Sequence, residues 1–189
     1  AFDACLEAPS PRLMKTHLWA ETQPAAWPEI GKIVHIVRNP KDVCVSFFEQ
    51  LVHTMGMTLT WGEWVRAFAE GRTPYGPWVE HTISWLSMDR PNLMAIRYED
   101  MKRDALGTMT KIAKFLDRPY DPKRLERTVA EAEFTAMKKN DVRKQYGGIA
   151  RKGIIGDWKN HFTDDQNALF DDLIDARLAA AGFAVDYEE

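Results

Sequence analysis

The chain has 189 residues, 45% of them apolar and 28% charged, with 25 basic against 28 acidic side chains and a formal charge of -3. That length suits one domain spanning residues 1–189, and the mild negative charge excludes a surface built throughout to grip nucleic acid, whose affinity rests on many Lys and Arg contacts to phosphate. No apolar run reaches the roughly 20 residues of a membrane span, and the first residues lack a signal-peptide pattern. Cys5 and Cys44 are too few for a disulfide framework, so a cytoplasmic, reducing setting is expected.

In chain order, residues 12–16 (RLMKT), 33–37 (IVHIV) and 93–97 (LMAIR) are short apolar runs bounded by turn residues, the pattern of buried strands. Asn39 and Pro40 predict a capped helix start, with Val43, Phe47 and Leu51 on one face. Thr60 and Glu63 form a capping-box pattern ahead of Trp61, Trp64, Val65 and Phe68, and Gly71 stops that helix. Pro77 opens another with Trp78, Trp85 and Leu86 inward. Leu106, Met109, Ile112, Ala113 and Leu116 trace the next, and Asp121-Pro122 starts one through Leu125 and Val129. Thr163 and Gln166 make a second capping box before Leu169, Phe170, Leu173, Ile174 and Leu178, with Gly182 as the stop. Strands separated by helices predict an α/β fold with a mainly parallel sheet flanked by helices.

Ligands collect at the carboxyl ends of such strands. Lys15, Thr16 and His17 follow the first predicted strand, Arg38 the second, and Tyr98, Glu99 and Asp100 the third, behind Arg97. That edge suits an anion. Arg38 faces a helix start whose backbone N–H groups attract anions, and its guanidinium can hold phosphate oxygens at two points. Ser46, two turns on, adds a hydroxyl. The plainer alternative is that Arg38 pairs with a carboxylate and Ser46 fills space.

Residues 138–159 carry seven basic against two acidic side chains, whereas eight acidic residues and one arginine follow from Asp164 onward. A local basic segment in an acidic chain fits a small anionic ligand. Within it RKGIIGDWK places Arg151 and Lys152 beside Gly153, where backbone can approach a phosphate closely; a solvated loop is the alternative. His17 can accept a proton from a hydroxyl nucleophile, or it can be structural. His35 reads as a core histidine. The remaining histidines show no metal-ligand spacing, and no metal is expected.

Five blocks, PRLMKTHL at 11–18, RNPKDVCVSFF at 38–48, RYEDM at 97–101, EFTAMKKN at 133–140 and RKGIIGDWKNHFT at 151–163, come in the order and spacing of the cytosolic sulfotransferases. The chain resembles that family from about residue 11 to residue 180. The resemblance implies a fold related to the P-loop nucleotide kinases and transfer of a sulfuryl group from 3′-phosphoadenosine 5′-phosphosulfate (PAPS) to a hydroxyl or amine of a small apolar or aromatic acceptor. It implies His17 as general base and Lys15 at the sulfate end of the donor. Arg38, Ser46, Arg151, Lys152 and Gly153 would hold the 3′-phosphate, with Tyr98 and Phe134 beside the nucleotide. No metal, nucleic acid or membrane enters that scheme.

The family's opening strand and phosphate-binding loop, of the type YPKSGTTW, has no counterpart before residue 11, so the chain reads as the carboxyl-terminal two-thirds of such a fold. The proline usual after KTHL is Trp19, and Ala132 and Glu133 stand where hydroxyl residues precede the stacking aromatic. The family's dimer motif keeps Lys159 and Thr163 but has Asp164 and Ala168 in place of its valine and glutamate. Met55, Met57 and Trp61 are expected along the acceptor pocket. The alternatives are a homologue that binds nucleotide without transferring, and a nucleoside-phosphate kinase sharing the fold.

Overall fold

The computed structural model describes residues 9, 11–23, 31–132 and 153–184. Strand β1 (Ile33–Val37) is β-branched at four of five positions and pairs in parallel with β2 (Leu93–Arg97), in a register running from Ile33 opposite Leu93 to Val37 opposite Arg97. Parallel pairing requires a crossover. Here it consists of α1 (Pro40–Met55), α2 (Trp61–Ala69) and α3 (Trp78–Leu86). Beyond β2 follow α4 (Tyr98–Arg103), α5 (Ala105–Phe115) and α6 (Pro122–Ala132). A 3-10 turn (Asp157–Asn160) then leads into α7 (Asp164–Phe170), a π turn (Asp171–Asp175) and α8 (Ala176–Ala180).

The predicted caps are present. Asn39 Oδ1 accepts the Lys41 and Asp42 N–H groups, with Pro40 in the first turn. Thr60 with Glu63 and Thr163 with Gln166 each form reciprocal capping boxes. Burial and the cap both follow from residue type: polar oxygens satisfy the orphan N–H groups while the apolar stripe turns inward.

Residues 12–16 correct the sequence reading. They form no strand, and among the described residues the sheet has two strands. A strand needs a ladder partner and a covered face; Leu13 is 99% exposed and Met14 is exposed as well. Side chains of α3 hold the segment that follows instead. A second difference is α4, a short helix begun at Tyr98 where the sequence showed only a strand end; its acidic start (Glu99, Asp100) and basic end (Lys102, Arg103) match the helix dipole.

The core lies between α1, α2, α3 and the α7–α8 segment, with Cys44, Leu51, Trp64, Val65, Phe68, Val79, Phe170, Ile174 and Leu178 buried in it. Trp64 is fully inside, its indole N–H donating to the Cys44 carbonyl at 2.9 Å. Burying a side chain such as Phe170 contributes roughly 2–3 kcal/mol. Phe170, Ile174 and Leu178 recur every four residues, which in an α-helix drifts by about 40° per step. The π turn widens the helix there and keeps the three on one face.

Candidate functional site

Because Val37 lies opposite Arg97, the next residues of the two strands, Arg38 and Tyr98, emerge side by side. The Arg38 guanidinium sits over the Tyr98 ring, 4.5 Å from its centroid. One guanidinium nitrogen donates to the Ile154 carbonyl at 3.4 Å and lies 3.8 Å from Asp42. Arg38 Nε is buried and makes no hydrogen bond among the described residues. A buried donor without a partner costs free energy, so this one fits an arriving acceptor such as a phosphate oxygen.

Two buried carboxylates organise this corner; the sequence placed Glu99 at the third strand end without a role and did not single out Asp42. Glu99 Oε1 accepts the Asn39 N–H at 2.9 Å, tying the start of α1 to α4. Asp42 accepts the N–H groups of Gly156 at 2.8 Å and Trp158 at 3.0 Å, tying α1 to the late loop. The signal available was an acidic residue shortly after each strand end, Asp42 five residues past Val37 in RNPKD and Glu99 two past Arg97 in RYED. A cavity of about 340 Å³ opens here, bordered by Arg38, Asn39, Arg97, Glu99, Asp100 and Lys111. That falls within the roughly 300–1,000 Å³ of small-molecule sites. Trp78 and Leu86, expected inward, are half-buried and line the same cavity.

The helix start differs from its sequence reading. The Asn39 side chain already takes the Lys41 and Asp42 N–H groups, so those donors serve the cap and are not free for a ligand. Ser46 is exposed one turn beyond Asp42. Gly153 lies at the end of the late loop with φ of 63°, a conformation favouring glycine. Arg151, Lys152 and Phe134 lie outside the described residues, as do most of the basic segment and the EFTAMKKN block.

Lys15 and His17 are exposed, on irregular backbone. The His17 ring lies 5.2 Å from that of Tyr75, which stacks on Phe47 of α1 at 5.7 Å. Partial burial, and then the charge on Lys15, lower the His17 pKa below 6.5, which favours the neutral imidazole. His17 is thus joined to α1 through two rings, one residue past Ser46. Trp61 and Met57, expected to border an acceptor, are half-buried and pack against the core; the Trp61 N–H donates to the His161 carbonyl at 3.1 Å and to Gln166 at 3.2 Å. Tyr75, between α2 and α3, is an aromatic residue beside His17.

The family model described as Sulfotransferase domain matches residues 2–182. Human sulfotransferase 1C2 is 34% identical and human sulfotransferase 1E1 36% identical, each over 87% of this chain and 61% of its own length. Rat sulfotransferase 2A1 is 34% identical over 94% of the chain and 68% of its own. A mouse sulfotransferase solved in complex with PAP (adenosine 3′,5′-bisphosphate) superposes with a TM-score of 0.86 at 31% identity, covering 94% of this chain and 69% of that one. The chain spans about three fifths of the length of the human relatives it matches. The shared architecture is an α/β fold of the P-loop kinase type, its parallel sheet flanked by helices.

Proposed function

The chain belongs to the sulfotransferase family, and from that premise we propose that it serves PAPS-dependent transfer of a sulfuryl group to a hydroxyl or amine of a small apolar or aromatic acceptor in the cytoplasm. The observation that carries this reading is Arg38: a guanidinium at the strand ends, braced on Tyr98, with a buried N–H that lacks a partner among the described residues.

In this scheme Arg38, with Ser46 and the Arg151-Lys152-Gly153 segment, grips the 3′-phosphate, and Phe134 stacks on the adenine near Tyr98. His17, kept neutral, takes the acceptor proton as the acceptor oxygen or nitrogen attacks sulfur. The sulfur–oxygen bond to the 5′-phosphate breaks, leaving PAP and a sulfated product. Lys15 neutralises charge at that bond, so side-chain cations rather than a metal ion supply the positive field. As in phosphoryl transfer, the rate rests on alignment and charge stabilisation. The rings of Tyr75 and Phe47 near His17 favour a flat, apolar acceptor.

The test is calorimetric binding of PAP, with ATP and 5′-AMP as comparisons, beside a transfer assay using PAPS and a simple phenol. Preference for PAP, lost in Arg151→Ala, is the expected result. Equal or absent binding of the three nucleotides would overturn it.

A further inference from the structure

We infer that Asp42 is a positioning residue for the 3′-phosphate grip, clamping the turn at residues 154–158 to the strand end that carries Arg38; this rests on the function proposed above. Asp42 is 1% exposed, and both carboxylate oxygens are committed. Oδ2 accepts the Gly156 N–H at 2.8 Å and Oδ1 the Trp158 N–H at 3.0 Å. The Oδ2 atom also lies 3.8 Å from an Arg38 nitrogen, and that same nitrogen donates to the Ile154 carbonyl. Arg38, Asp42, Ile154, Gly156 and Trp158 therefore close one ring of contacts across more than 110 residues of sequence.

The position is informative because a carboxylate beside an anion site opposes the anion by simple Coulomb repulsion. Its presence is explained by what its oxygens hold. Charge-assisted bonds to two backbone N–H groups fix the turn through Gly156, whose φ of 77° already sets its direction. Gly153, at the upstream end of that turn, is joined covalently to Arg151-Lys152. The turn through Gly156 and the Arg38 guanidinium are thus held by one side chain.

Charge alone and positioning predict opposite signs for Asp42→Asn. Removing a negative charge near a phosphate should tighten PAP. Losing the clamp should weaken it, because the amide presents an N–H₂ to one of the two backbone N–H groups and leaves that donor unpaired. We expect PAP affinity in Asp42→Asn to fall at least tenfold by calorimetry, with 5′-AMP affinity within twofold of wild type, so that the preference for the 3′-phosphate narrows. Circular dichroism melting confirms that the variant is folded. Should it fail to fold, Gly156→Ala perturbs the same turn: a Cβ there meets nothing within 4 Å, but the positive φ is strained. The same selective loss is expected. Unchanged or tighter PAP binding in the folded variant overturns the inference alone. A wild-type chain that does not prefer PAP over 5′-AMP overturns the functional reading, and this inference with it.

Discussion

The indole N–H of Trp85 donates to the Leu18 carbonyl at 3.2 Å, fastening the residue after His17 to α3. The Ala20 N–H donates to Ser84 Oγ at 3.2 Å, and the Trp19 indole N–H donates to the Tyr75 carbonyl at 3.3 Å. A segment without a sheet ladder is thereby held by side chains. Trp85→Phe keeps an aromatic ring and removes the donor. Turnover should fall by roughly tenfold or more, since small misplacements of a reacting group are costly, while PAP affinity stays unchanged. Equal turnover in the two proteins would show that the carbonyl bond does not place His17.

His17 itself carries a sharper expectation. In His17→Ala, sulfuryl transfer should drop by about 100-fold or more, the usual contribution of a general base, with PAP binding retained. Because partial burial and Lys15 lower its pKa, the acid limb of the wild-type rate profile should lie below the ordinary histidine value, and Lys15→Gln should move that limb upward. A limb that does not respond to Lys15→Gln would separate the two residues.

Arg38→Lys preserves charge and loses the planar fork and the face contact with Tyr98. An ammonium cannot offer both the bond to the Ile154 carbonyl and a second in-plane donor. PAP affinity should weaken by roughly tenfold, with little effect on 5′-AMP. Wild-type affinity in the lysine variant would mean that only a point charge is needed there.

Local pattern carried much of this far. The β-branched run at 33–37, the Asn39-Pro40 start and both capping boxes depend on neighbours a few residues away, and each stands where the sequence places it. RLMKT has the same local look as a strand, but strand formation is settled by a partner elsewhere in the chain, and the described residues offer it none. Within the site, Arg38 and Tyr98 were legible as strand ends, and the register makes them neighbours. The tying roles of Asp42 and Glu99 were not, because an acidic residue near a helix start reads as a dipole partner until its long-range hydrogen bonds are known. The Trp61 indole bond was hidden for the same reason, its acceptor being a carbonyl one hundred residues away.

His35 gives the fold a pH dependence with a definite sign. Burial, and then the neighbouring His81, lower its pKa from 6.5 to about 4, and its Nε2 is buried without a partner among the described residues. Its ring stacks near Trp85 at 5.8 Å. Above about pH 6.5 it is neutral in both folded and unfolded chains, and no stability is lost. As pH falls from 6.5 toward 4, the unfolded chain binds a proton that the folded chain refuses, and stability declines. That interval is worth up to roughly 3 kcal/mol. Urea unfolding at pH 7.5, 6 and 4.5 should show a steeper decline for wild type than for His35→Phe. Parallel declines would place the acid sensitivity in other groups.

The junction at Thr163 and Gln166 tests how the carboxyl-terminal helices are anchored. Thr163 Oγ accepts the Gln166 N–H at 3.3 Å, and Gln166 Oε1 accepts the Thr163 N–H at 3.1 Å. The same Oε1 takes the Trp61 indole N–H, which links α7 to α2, and Phe170 lies buried one turn further on. Thr163→Ala removes one half of the cap and should cost about 1 kcal/mol. For a chain of this size that lowers the melting temperature by roughly 2–4 °C. Gln166→Ala removes the other half together with the bridge to Trp61, so its melting temperature should fall further than that of Thr163→Ala. The Trp61 indole keeps its bond to the His161 carbonyl, which limits the additional loss. If Gln166→Ala proves no more damaging than Thr163→Ala, the bridge between α2 and α7 adds nothing to the cap.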